Sequence, residues 1–304
     1  MHTQPHRIVA VLSTVVVGLL AGCAGTESTR PATAAAPARV TPAVQAGAMR
    51  PVMREGQTEP RVNLASANER AGLFAVGAMA GLDGEITITG GEVWVSRVMD
   101  GHPATVGPAP APDAFATLLV GFRVDRWTSV TLEEPLAAGA LEAAIERAAR
   151  EHGIDPDAPF PFRLEGAFST LDMHVINGFC PHSGGEAATG NQPWKSSFPL
   201  PIRARVVGVY ARDSQGVLTH HGTAVHAHAL VDGSEGLVTG HIDAMGLARG
   251  TVLLLPVASR WQSAVSEGRE PMTRIDASAT AATARSDLCG WSPPAASRGR
   301  GGRP

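Results

Sequence analysis

The sequence is short of cysteine, of net charge and of repetition, and each shortage excludes something. Among 304 residues there are 3 cysteines, and 25 Lys and Arg stand against 28 Asp and Glu for a net charge of -3. A chain so close to neutral has no electrostatic footprint for DNA or acidic lipid, so nucleic acid is excluded as a partner and any hold on a membrane must come from another source. No segment recurs at the roughly 20 to 50 residue periods of solenoids and propellers. The long apolar run Ile8–Leu20 near the start is too short to span a bilayer comfortably. What is present is 44% hydrophobic residues, the balance of a globular body.

That run follows His6-Arg7 and ends in Leu20-Ala21-Gly22-Cys23, small residues directly before a cysteine. Residues 1–23 therefore read as a lipoprotein signal, with Cys23 acylated after cleavage and the chain exported and held to a membrane by its lipid. Ala24 carries no inner-membrane retention signal, which points to the periplasmic face of the outer membrane. Residues 24–60, rich in Ala, Thr, Pro and Gln without an apolar period, read as a disordered tether. Residues 292–304, with Ser-Arg-Gly-Arg-Gly-Gly-Arg, read as a disordered tail, and residues 61–291 as one folded domain. In an oxidising compartment Cys180 and Cys289 form an even pair, read either as a disulfide or as two free thiols.

Within the domain, Gly72–Arg97 reads as a helix end or turn followed by a hairpin, Glu85-Ile-Thr-Ile-Thr89 and Glu92-Val-Trp-Val-Ser96 joined by Gly90-Gly91. His102–Asp113 reads as a Pro- and Ala-rich loop, and Phe115–Val124 as a strand. Apolar residues at 136, 140, 141, 144, 145 and 148 predict a long amphipathic helix over Leu136–His152, ended by Gly153. Phe160–Ile176, Arg203–Tyr210, Thr223–Val231, Leu237–Ile242 and Thr251–Leu255 read as strands, with a Gly-, Ser- and Asn-rich insertion at Asn177–Ser197. The class is α+β, mostly antiparallel sheet.

The sharpest feature is Val225-His226-Ala-His228-Ala, then Asp232-Gly-Ser-Glu-Gly236, then Thr239-Gly-His241. Residues two apart in a strand share a face, so His226 and His228 point the same way. An even hairpin loop between paired Asp232 and Leu237 puts His241 opposite His228, whereas an odd loop puts it on the other face. Three neutral imidazoles around an ion with one open position are the arrangement of catalytic zinc, Zn2+ or another divalent transition metal. His220 and His221 read as surface residues in preference to extra ligands.

Gly77-Ala-Met-Ala-Gly-Leu-Asp-Gly-Glu85-Ile-Thr-Ile-Thr-Gly-Gly-Glu-Val resembles the Leu-Asp-Gly-Glu and strand signature near the start of acetolactate decarboxylases, and the His-x-His hairpin resembles the same family's zinc site. Phe115-Ala-Thr, Leu132-Glu-Glu-Pro-Leu and Phe162-Arg-Leu-Glu-Gly-Ala-Phe168 fall between them in the family's order, so the likeness runs from about Leu73 to Pro256. The resemblance implies an α+β fold with two packed β regions. It also implies conversion of 2-acetolactate, a small 2-hydroxy-3-oxo acid, to acetoin and carbon dioxide. In that reading His226, His228 and His241 hold the metal, Glu85 guides the proton, and Arg163, which matches an arginine of the family motif, is a catalytic or a structural residue. His174 stands where the family carries an active-site arginine, as a catalytic residue or a further ligand. The family also places an acidic residue near the C-terminus, where Glu267, Glu270 and Asp276 are candidates. Other readings are a metal-binding envelope module without decarboxylase activity, or a different small acid as substrate. A homodimer stays open.

Overall fold

The computed structural model describes residues 42–69, 71–179, 190–233 and 236–257. The signal with Cys23, the Cys180 and Cys289 pair, the tail, and Glu267, Glu270 and Asp276 lie outside these residues.

Two largely antiparallel sheets build the body. The first runs β1 (Val44–Ala46), β7 (Phe115–Arg123), β3 (Leu73–Met79), β4 (Glu85–Thr89), β5 (Glu92–Met99), β6 (His102–Val106), with β2 (Val62–Asn63) also paired to β7. The second runs β11 (Ile202–Tyr210), β12 (Val225–Gly233), β13 (Gly236–Leu247), β9 (Phe160–Val175), β14 (Val252–Pro256), β8 (Trp127–Thr131), with β10 (Trp194–Ser197) on β9. The first half of the 16-residue β9 pairs with β11 and its second half with β13. The ring β9–β11–β12–β13 therefore closes into a small barrel, which removes the open edges of those strands.

Alternation decides what each sheet shows the other. On β12, Ala227, Ala229 and Val231 join the barrel core with Phe160, Phe162, Phe168 and Tyr210, which leaves His226 and His228 for the opposite face. On β4, Ile86 and Ile88 join an apolar cluster with Leu73, Val93 and Leu119, which leaves Glu85 and Thr87 facing the second sheet. Each hydrophobic set, by taking its own side, turns a polar stripe into the contact between sheets.

Gly90 and Gly91, at φ 66 and 101, make the two-residue turn of the β4–β5 hairpin, whose twist suits the strands it joins. Gly84 precedes Glu85 for a different reason. A Cβ there would stand 2.2 Å from the Ser96 carbonyl oxygen, so only glycine lets the chain enter β4 beside β5.

Several expectations need correction. The tether does not extend to residue 60: β1 pairs with β7, and helix α1 (Met49–Arg54) buries Met49 and Val52 against Ala78, Leu82, Leu118 and Ile176. Two apolar residues three apart are too few to show as a period, and Pro51 is tolerated because it lies in the first turn. Leu73–Met79, read as a helix end, is a strand buried along its whole length, so it shows no alternation. His102–Val106 is an edge strand rather than loop, and edge positions admit Pro103. The long helix is short. A 3-10 turn (Ala138–Ala140) leads into α3 (Leu141–Glu151), because only Leu141, Ala144, Ile145, Ala148 and Ala149 are buried. A short α2 (Leu64–Asn68) opens with Asn63 as its cap.

Candidate metal centre

The hairpin of β12 and β13 has the even register: Asp232 pairs with Leu237 and His228 with His241. His226, His228 and His241 are buried, and one ligand atom from each lies within 4.8 Å of the others, a group that can hold a metal ion. Their ring centroids are 5.1 to 5.6 Å apart. Burial holds the rings neutral, which is the ligand form. It pushes His226 down to about 3, with His220 adding to the effect, and pushes His228 and His241 well below the usual imidazole range, with neighbouring histidines adding to it.

Two buried nitrogens of this group, Nδ1 of His226 and Nε2 of His228, have no hydrogen-bond partner. Leaving a buried polar atom unpaired costs about 1–3 kcal/mol, so two in one cluster call for an occupant. A divalent ion fits this donor set of neutral imidazoles.

The second shell selects which nitrogen faces the cluster. The Thr239 hydroxyl donates to the Ala229 carbonyl at 3.0 Å, so its oxygen can only accept from Thr87, 2.6 Å away. Having given its proton to Thr239, Thr87 accepts at 3.3 Å from Nδ1–H of His228. The Ile86 backbone also bonds this ring. The tautomer with a bare Nε2 is thereby fixed. The Thr239 backbone N–H in turn donates to Ser96 Oγ on β5 at 2.9 Å, which ties the two sheets together beside the site. The Thr87→Val substitution is expected to weaken zinc binding about 10–100-fold with the fold intact, read by titration against a competing chelator. Thr87→Ser should restore most of it, and equal affinity in the valine variant would show that the hydroxyl relay does not orient His228.

Glu85 opens β4, opposite Ala78 on β3 and Ser96 on β5, and is 4% exposed. Its carboxyl oxygens lie 3.6 Å from His228 Nε2 and 3.8 Å from His174 Nε2. Burial pushes the carboxyl up to about 8, the charge of Asp243 adds to this, and a hydrogen bond from the Ile176 backbone opposes it. Without a metal beside it, the group favours the carboxylic acid form at neutral pH.

His174 is the cross-strand partner of His241, and its ring centroid is 5.0 Å from that of His241. Its Nδ1 lies 2.9 Å from Asp243 Oδ1, so the ring donates to that carboxylate and turns Nε2 toward Glu85. Asp243 was not singled out from sequence. Two residues beyond His241, it stands at a bulge between Ile242 and Ala244, where the strand pattern does not fix its aim. His220, read as surface, sits at the rim of the cluster, 5.0 Å from His241 by ring centroids. It lies on a loop, where no periodicity reports facing.

Arg163 is not brought to the histidines. Its guanidinium bonds Glu165 and lies over the rings of Phe74, 5.1 Å from the centroid, and Trp127, 5.4 Å away. The catalytic expectation for Arg163 has no support in that placement; its contacts are packing contacts.

No protein-family model and no curated protein sequence matches the chain. Solved structures do. A Staphylococcus aureus protein of unknown function, described as similar to alpha-acetolactate decarboxylase, superposes with a TM-score of 0.52 at 14% identity, over 70% of this chain and 84% of that one. The alpha-acetolactate decarboxylase of Bacillus subtilis strain 168 gives 0.52 at 16% identity over the same shares, 70% and 84%. The fold is acetolactate-decarboxylase-like. At this identity the likeness shows the architecture, and the chemistry must be argued from the side chains.

Proposed function

We propose that the protein is a metal-dependent decarboxylase of a small 2-hydroxy-3-oxo acid, with 2-acetolactate as the substrate that gives acetoin and carbon dioxide. The observation that carries this reading is the buried group of His226, His228 and His241 with the buried Glu85 carboxyl against it. These three histidines would hold a divalent ion such as zinc, which when bound supplies Lewis-acid polarisation of the substrate's carbonyl and hydroxyl oxygens. In the reaction the bond between the carboxylate carbon and its neighbour breaks, its electron pair moves toward the adjacent ketone, and the carbon that lost carbon dioxide takes up one proton. Glu85 is the group that carries a proton at that place, and burial keeps it from exchanging freely with solvent. His174, held by Asp243 and turned toward Glu85, orients the Glu85 carboxyl and can return the proton to it. The exported, lipid-anchored form belongs to the same proposal. It rests on the segment from His6 to Cys23.

The test is acetoin formation from 2-acetolactate by the purified, metal-loaded protein with and without a chelator. Turnover above the spontaneous rate that the chelator abolishes is the expected result. A folded, metal-loaded protein without turnover would sink the decarboxylase reading and leave the metal site standing.

A further inference from the structure

The pocket around the histidines is lined by Glu85, His174, His220, His226 and His241 with apolar residues, and has room for about 10 Å³. That is the space of a water or an ion. An organic acid does not fit there, and no Arg or Lys lines it to meet a carboxylate. A second cavity of about 150 Å³ adjoins it and shares Met53 and His220 with it. Arg50 and Arg54 of α1 line this outer cavity on one side, Gly216 and His221 on the other.

Helix α1 is fixed at this mouth by its backbone. Met49 N–H donates to the Val217 carbonyl at 2.9 Å and Arg50 N–H to the Gly216 carbonyl at 2.8 Å, while Met49 and Val52 are buried beneath. A Cβ on Gly216 would lie 3.5 Å from His221 Nε2 and 3.6 Å from Arg50 Cβ, so the arginine and the histidine flank the glycine. The acidic neighbour is Glu55, whose Oε1 is 3.5 Å from Arg50 Nε. Both side chains are about half exposed or more, and such a pair yields readily to a competing anion. This outer cavity, with room for an organic molecule next to the histidines, therefore carries two guanidiniums.

We propose that this outer cavity is the binding site for the substrate's carboxylate, with Arg50 and Arg54 holding the anion at the threshold of the histidine pocket. The site accepts a small monocarboxylate whose far end reaches past His220. The assignment rests on the proposed decarboxylase reading for the identity of the acid, and on the cavity alone for the binding of an anion. Arginine suits the task because its fork matches a carboxylate in two parallel hydrogen bonds.

The experiment uses the metal-loaded full chain and calorimetric binding of 2-hydroxyisobutyrate, which has the carboxylate and hydroxyl but no ketone and cannot decarboxylate. The neutral 3-hydroxy-3-methylbutan-2-one serves as the probe without a carboxylate. In the R50E/R54E variant, affinity for 2-hydroxyisobutyrate should fall at least about tenfold. Metal content and affinity for the neutral probe should stay within about twofold, and added salt should weaken acid binding in the native protein more than in the variant. Equal affinity for the acid in both proteins, or no binding to either, would overturn the proposal. If acetolactate is not turned over but the affinity difference is found, the decarboxylase reading fails and the anion site stands. If turnover occurs with the same KM in both proteins, the anion site fails and the decarboxylase reading stands.

Discussion

The His226→Leu substitution is expected to lower zinc affinity at least about 100-fold while leaving the metal-free protein near its original stability. Zinc held by imidazoles and thiolates in small folded sites is worth roughly 10–16 kcal/mol, so losing one ligand of a few removes about 3 kcal/mol or more. The metal-free protein responds differently, because the side chain removed is buried with Nδ1 unpartnered. Replacing it by an apolar group of similar volume removes that unpaired nitrogen, which offsets the roughly 1–3 kcal/mol lost by orphaning the Leu218 backbone partner. Thermal unfolding of native and variant protein, each with and without zinc, separates the two effects. Zinc at about 1,000 times the native dissociation constant should stabilise the native protein by about 4 kcal/mol and the variant by about 1.4 kcal/mol or less. Equal stabilisation of both would show that the histidine group is not where the metal binds.

The second large effect is expected at Glu85. Glu85→Gln keeps shape and neutrality but has no proton to release, so turnover should fall about 10²–10⁴-fold with zinc affinity within a few-fold of native. The same substitution changes how stability follows pH. Burial raises this carboxyl from 4.5 in the unfolded chain to about 8, so the folded state binds the proton more tightly. Glu85 thus adds a slope by which stability falls as pH rises from about 4.5 to about 8, on the order of a few kcal/mol, and levels off above. The buried histidines, neutral when folded, act in the opposite sense below about 6.5 in both proteins, so the effect is read as the difference between them. The glutamine variant lacks this slope and should be the more stable of the two at pH 8.5 when both are metal-free. A variant that turns over at the native rate would remove Glu85 as the proton source, whatever its stability.

The histidine hairpin was legible because its logic is short-range: a period of two along β12 and an even loop suffice to set three rings on one face. Glu85 was legible through the Leu-Asp-Gly-Glu segment, and Gly84 shows why that glycine accompanies it. The barrel closure was not, since it depends on β9 changing partners halfway along, an event no local pattern marks. Helix α1 was lost among Ala, Thr and Pro because two buried residues hold it and the rest face solvent. Asp243 and His220 escaped for geometric reasons, one aimed by a bulge and the other carried on a loop. Arg163 was drawn in by its place in a motif, yet its guanidinium lies among aromatic rings and a glutamate.

The polar stripe between the sheets also sets when the site comes into being. Thr87 meets His228 across 141 residues of chain and Thr239 across 152, so no early-folding hairpin contains the finished constellation. Pairings of such long range form late in folding, after their loops have been closed. The β12–β13 hairpin alone can set the three imidazoles on one face. The Thr87 hydroxyl that orients His228, and Glu85 beside it, join them only once both sheets have docked. Imidazole ligands bind several divalent metals, and the ion that is captured depends on what is available at that moment. The conditions under which folding finishes therefore bear on which metal this site receives.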